Sequence, residues 1–151
     1  DVLPPVQPYA EGDMPGSVRV ALASDSGEAL NGHFGSCIRY LVYQVSPAEI
    51  RLVGIRDALE ADFAQDKNAF RVQLIADCHV LYVVSIGGPA AAKVIKGNIY
   101  PMKRIEGGPA IEVMAEFQLM MTQSPPPWLA KVLGVAAGQR LKNYNAASID
   151  E

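Results

Sequence analysis

The chain is short of the residues from which covalent and metal scaffolds are built. Among 151 residues there are two cysteines, two histidines and one tryptophan. Two cysteines do not make a disulfide framework, so a reducing, cytoplasmic compartment is the default expectation. No apolar run approaches the roughly 20 residues that a membrane-spanning helix requires. No run of lysine or arginine occurs and the net charge is −3, which argues against nucleic acid or a membrane surface as partner. A phosphate-binding P-loop is missing, as is the spaced-glycine fingerprint of dinucleotide sites. No charged-then-apolar leader is visible, and the chain opens on Asp1 without a methionine, so it reads as part of something longer.

What is present is apolar content: 50% of residues are hydrophobic, enough for one domain with a real core. The first seventeen residues, DVLPPVQPYAEGDMPGS, hold four prolines and no periodic apolar pattern. They are expected to form an extended linker (1–17) leading into a domain over 18–122. VRVALAS, CIRYLVYQV and IRLVGIR read as three strands of an antiparallel meander, the last two joined by a proline turn at Ser46–Glu49. An acidic stretch, Asp57 to Asp66, leads to KNAFRVQLIAD, where Phe70 and Leu74 lie at helical spacing. HVLYVVSI is almost unbroken apolar, as in a strand covered on both faces.

GGPAAAKVIKG follows with a glycine turn, proline in the first helical turn, strong helix formers and a closing glycine. IYPMKRI reads as a short strand that Pro101 assigns to an edge. GGPAIEVMAEFQLMM repeats the helix-start punctuation and opens a helix with Val113, Phe117 and Met120 or Met121 along one side. Its methionines, Met114 included, are expected to pack in the core. After SPPPW, residues 123–151 are expected to form a C-terminal extension with one short helix, WLAKVL, and a loose tail that Trp128 pins down.

The order β-β-β-α-β-α-β-α with right-handed crossovers predicts an α/β fold: a mixed five-stranded sheet with helices on both faces. The first and fourth strands form its central pair, and their connections leave in opposite directions, creating a switch point at their carboxyl ends. Two loops meet there. One is Asp25 to Ser36, which holds His33 within the stretch LNGHFGSC. The other, Ile86-Gly87-Gly88-Pro89, begins a helix whose free N–H groups attract anions. Gly32 and Gly35 are expected to give the backbone around His33 unusual freedom, so that the imidazole projects as a lone nitrogen ligand. The plainer alternative is a turn histidine with no partner. Cys37 is a second candidate metal ligand, its alternative being a small buried hydrophobe. These two fall short of the four ligands of a closed zinc site.

Cys78 and His79 belong to the opposite end of the sheet and are expected to pack. The strand order is that of ribonuclease H-type nucleases, but their chemistry needs several carboxylates around metal ions. Here the first strand ends in Asp25, whereas the fourth ends in Ser85-Ile86-Gly87 and supplies no acid. No acid–base pair or Ser/His/Asp set is visible, so the chain is not expected to be an enzyme.

DSGEALNGHFGSCIRYLVY and ADCHVLYVVSIGGPAAAKVIKGNIYPMK resemble the NifX/NafY family of nitrogenase accessory proteins, a domain also attached to the cofactor-maturation protein NifB. The likeness covers about residues 18–121 and fits the core domain of the longer NafY, or gamma-protein, type. It implies a ribonuclease H-like architecture and a non-catalytic carrier of the iron–molybdenum cofactor (FeMo-co) or its Fe-S precursor cluster. That cluster is an anion, and its molybdenum takes a nitrogen ligand in the finished enzyme. The implied partners are apo-dinitrogenase (the MoFe protein) and other cofactor-biosynthesis proteins. His33 falls on the family's cofactor-holding histidine. Asn31, Gly32, Phe34, Gly35 and Ser36 would shape its loop, and Gly87 and Gly88 would face the cargo. DSGEALNG departs from the shorter Asp-Gly turn of simpler members. The alternative, from another class, is an interaction chaperone that stabilises apo-dinitrogenase without carrying the cofactor.

Overall fold

The computed structural model describes residues 3–149; positions 1, 2, 150 and 151, which the expected linker and tail include, lie outside the described residues. In chain order the strands are β1 (Val18–Ser24), β2 (Ala29–Leu30), β3 (Arg39–Val45), β4 (Ile50–Asp57), β5 (Val80–Val83), β6 (Tyr100–Lys103) and β7 (Gly108–Pro109). The helices are α1 (Lys67–Leu74), α2 (Gly88–Lys96), α3 (Ala110–Thr122) and α4 (Pro127–Ile149). One mixed sheet has the order β4-β3-β1-β5-β6, and a two-stranded ribbon pairs β2 with β7. β1 runs antiparallel to β3 and parallel to β5, so it is the hinge between the two halves of the sheet. Pro101 lies in β6, an edge strand, where a missing N–H is tolerated.

The two-residue alternation of β1 sorts its side chains onto opposite faces. Val18, Val20 and Leu22 join Val113, Met114, Phe117 and Met121 of α3 and Leu129 of α4 in one core. Ala21 and Ala23 join Tyr40, Val42, Leu81 and Val83, with Ala90 and Val94 of α2, in the other. All four residues of β5 are buried, as strands covered on both faces must be. The mixed sheet with helices on both faces and the core placement of the methionines are as the sequence predicts.

Four expectations are corrected. Residues 3–17 are not a free linker: Gln7 N donates to the Leu52 carbonyl at 2.8 Å, Met14 is buried, and the Tyr9 ring lies against the Arg19 and Arg51 guanidiniums. Prolines fix an extended course, and an extended strap can be packed as well as free. The C-terminal extension is not one short helix but the 23-residue α4. Gly134 and Gly138 lie within it, yet isolated glycines cost a helix only about 1 kcal/mol each, and Trp128, Leu129 and Ala136 give α4 packing to offset it. Trp128 stacks on Tyr100 with ring centroids 4.2 Å apart, pinning the helix start.

The inward face of α1 is rotated from the Phe70/Leu74 stripe. Arg71 is its buried residue, and Phe70 is only half-buried. Finally, the two GGP segments are different devices. Gly88-Pro89 opens α2, whereas Gly108-Pro109 is β7, preceded by a turn in which Gly107 has φ 59° and Gly108 φ 138°. A Cβ on Gly107 would lie 2.3 Å from the Leu30 carbonyl oxygen.

Candidate functional site

β1 and β5 are parallel neighbours, so both end at the same edge of the sheet. The chain leaves β1 at Ser24, and residues 25–31 arch over that edge. It then returns into it. Gly32 N donates to the Ala23 carbonyl at 3.1 Å, Val84 N donates to the Gly32 carbonyl at 3.0 Å, and Phe34 N donates to the Ser85 carbonyl at 2.9 Å. His33 thus forms a parallel bridge with Ser85 just beyond the end of β5. The backbone that carries the imidazole is part of the sheet and is held from both sides.

This corrects the role expected of the flanking glycines. Neither Gly32 nor Gly35 has a positive φ. Gly32 is needed for closeness: a Cβ there would sit 2.6 Å from Cys37 Cβ and 2.9 Å from the Ala23 carbonyl carbon. Gly35 is exposed, and an added Cβ would meet nothing within 4 Å. Asn31 braces the arch by accepting from Asp25 N at 2.7 Å, while Asp25 Oδ1 accepts from Ile38 N at 3.1 Å. Ser26 Oγ accepts from Glu28 N and Ala29 N, both at 3.2 Å, so Asp25 and Ser26 are turn-capping residues.

His33 is exposed, and its Nδ1 is hydrogen-bonded to Ser85 Oγ. Nε2 has no hydrogen-bond partner among the described residues. Two residues beyond Ser85, Gly87 starts α2 without a side-chain cap. Gly87 and Gly88 are exposed with open space around them. The first turn of α2 therefore begins two residues past the partner of His33, with backbone N–H groups that no side chain caps. Ser36 is exposed on the loop and its N–H donates to the His33 carbonyl at 3.2 Å.

Phe34 and Cys37 point the other way. Phe34 is 0% exposed, with its ring 6.1 Å from that of Tyr40, and it anchors the loop in the core instead of lining a surface. Cys37 is 1% exposed. Burial pushes its thiol above the ordinary value, an effect that the Tyr40 hydroxyl and Arg71 guanidinium only partly oppose. It is a buried thiol beneath the loop, not a thiolate beside the imidazole. Among the described residues no three His, Cys, Asp or Glu side chains gather to hold a metal ion.

Cys78 and His79 lie at the far end of the sheet as expected. Burial pushes Cys78 up to about 12. His79 Nδ1 accepts from Arg19 N at 3.1 Å, and Nε2 pairs with the Gln139 amide oxygen at 2.9 Å. A cleft of about 1290 Å³ also lies at this far end, between the sheet edge and α4. On its wall Arg19 pairs with Asp77 at 2.8 Å, and Asp77 pairs in turn with Arg56 at 2.5 Å. Volume alone does not identify the site here, because the exposed histidine, His33, lies at the other edge.

Ser85, Tyr40 and Arg71 were not singled out from the sequence as parts of this site. Ser85 was noted only as an acid that was missing. No local motif marks any of the three; only the parallel register of β1 and β5 and the rotation of α1 bring them under or beside the loop.

The described residues thus form a mixed α/β sheet that presents one exposed histidine at its switch point, beside a helix start without a side-chain cap. Residues 16–120 match the family described as "Dinitrogenase iron-molybdenum cofactor", and the chain belongs to that family. It is 45% identical to protein NifY of Azotobacter vinelandii over 94% of this chain and 59% of that protein. It is 33% identical to protein NifX of Rhodobacter capsulatus over 83% of this chain and 82% of that one. The chain thus spans about three-fifths of the NifY relative's length. Among solved structures it is similar to the apo form of the orange protein of Desulfovibrio gigas, with a TM-score of 0.56 and 15% identity over 74% of this chain and 89% of that one, a likeness of fold. The family ties the chain to nitrogen fixation and nitrogenase cofactor maturation. No described helix is long and apolar enough to cross a membrane.

Proposed function

We propose that this domain is a non-catalytic, cytoplasmic carrier that takes the iron–molybdenum cofactor, or a precursor cluster, on His33 and passes it to apo-dinitrogenase. The observation that carries the reading is the imidazole itself: exposed, fixed through Nδ1 by Ser85, and unpartnered at Nε2. A second-shell hydrogen bond on one ring nitrogen orients the other for metal. The uncapped start of α2 at Gly87 and Gly88 favours negative charge, as a cluster anion requires.

A single ligand suits a guest that brings its own bridging sulfides and must later leave. A closed cage would hold it too tightly for transfer. The strand order β4-β3-β1-β5-β6 also supports the ribonuclease H-like description of the fold. Asn31, Gly32 and Phe34 serve the site by holding the loop, and Gly35, Ser36, Gly87 and Gly88 form the surface that meets the cargo.

The test is anaerobic mixing with FeMo-co extracted from dinitrogenase, read by a native-gel shift and metal analysis. The wild-type chain takes up molybdenum and iron together, and His33→Ala loses most of that uptake with its fold intact. Equal uptake by the His33→Ala variant refutes the reading. Capture of apo-dinitrogenase without cofactor, indifferent to the same substitution, favours the interaction chaperone instead.

A further inference from the structure

One buried side-chain polar atom among the described residues has no hydrogen-bond partner: Nε of Arg71. Arg71 is 2% exposed on the inner side of α1. It takes part in none of the ion pairs among the described residues. A buried guanidinium with no carboxylate keeps its desolvation cost without a Coulombic return, and an apolar side chain of similar volume would pack there more cheaply. Its presence calls for a cause other than packing.

What it touches is the underside of the His33 loop. Its Nη1 donates to the Cys37 carbonyl at 2.9 Å and lies 3.3 Å from Cys37 Sγ and 3.4 Å from the Tyr40 hydroxyl. Cys37 N donates to the His33 carbonyl at 3.0 Å, and the Tyr40 hydroxyl donates to the Phe34 carbonyl at 3.0 Å. One short hydrogen-bonded route therefore joins the guanidinium to the His33 carbonyl through Cys37, and a second joins it to the Phe34 carbonyl through Tyr40. The solvent side of the same sheet edge carries mixed charge: exposed Asp25 and Glu28 on the arch, Asp57 at the end of β4, Glu60 and Asp62 beyond it and Glu106 after β6, beside Arg39, Lys103 and Arg104.

We propose that Arg71 is a positioning residue for the cargo site, pinning the His33 loop from below and lending it a positive charge that an anionic cluster completes. This rests on the cargo reading above. In the low-dielectric interior that charge is screened far less than a surface lysine would be.

The full chain and its Arg71→Gln and Arg71→Lys variants are titrated anaerobically with extracted FeMo-co at two ionic strengths, with NMR of the His33 ring in the unloaded proteins. Glutamine can still donate to the Cys37 carbonyl but carries no charge; it weakens binding about tenfold or more, and lysine stays within about threefold of wild type. Arg71→Gln with wild-type affinity overturns the inference. Should Arg71→Gln fail to fold, Arg71→Lys decides, and a tenfold loss with the charge retained overturns it equally. A wild-type chain that takes up no cofactor removes the cargo reading and this inference together, whereas tight binding by wild type and Arg71→Gln alike removes this inference alone.

Discussion

One methyl group at Gly32, set against one at Gly35, separates the two ways a glycine can serve a loop. In Gly32→Ala the new Cβ would lie 2.6 Å from Cys37 Cβ, 2.9 Å from the Ala23 carbonyl carbon and 3.0 Å from Ser24 N. Two of these three neighbours are backbone atoms of β1, which cannot swing aside. Relief requires the Gly32 strand to lift from the sheet edge. That movement lengthens the bond from Gly32 N to the Ala23 carbonyl and the bond from Val84 N to the Gly32 carbonyl. Overpacking of about 1–3 kcal/mol, with about 1 kcal/mol for a weakened hydrogen bond, gives a loss of about 2–4 kcal/mol. For a domain of this size that is a fall of about 6–12 °C in Tm. Gly35→Ala meets nothing within 4 Å and has no positive φ to violate, so its change stays within about 0.5 kcal/mol. Urea and thermal unfolding of the two variants beside wild type measure both. A Gly32→Ala protein as stable as Gly35→Ala would refute the claim that His33 is held by close backbone packing.

Ser85→Ala removes the partner of His33 Nδ1 and is expected to weaken cofactor uptake about tenfold while leaving Tm nearly unchanged; an unchanged titration would mean the bond does not orient the ring. Phe117→Ala empties the centre of the α3 core, at a cost of about 3–5 kcal/mol in chemical denaturation. Asp77 is held below the usual carboxylate range chiefly by its hydrogen bonds to Arg56, with Arg19 adding to the effect. Its contribution is present above the ordinary aspartate value near pH 4 and is lost as pH falls below it. Asp77→Asn should therefore flatten the acid limb of the stability curve, and an acid limb identical to that of wild type would contradict this.

Sheet and helices were legible because periodicity and turn chemistry are local. VRVALAS and HVLYVVSI show their strand character in any context, and Pro101 marks an edge because of its own missing N–H. His33 stands out locally as a histidine between glycines at a strand end, and whether it was partnered depended on the distant Ser85. What was hidden depends on partners distant in sequence. The pairing of β2 with β7 involves only two residues on each side. Gly108-Pro109 reads like Gly88-Pro89 until Leu30 lies beside it. Arg71 looks like the polar face of a helix, because nothing in KNAFRVQL reports that the inward side is turned toward it. Phe34 was taken with its loop neighbours, and only the packing against Tyr40 separates its inward ring from their outward surface.

The most direct measurement is pulsed EPR of the wild-type chain loaded with FeMo-co, prepared with 14N- and with 15N-labelled histidine, beside His33→Ala. A hyperfine coupling that follows the histidine isotope in wild type and vanishes in His33→Ala is the expected result. A loaded wild-type protein whose cluster senses no histidine nitrogen would contradict the account.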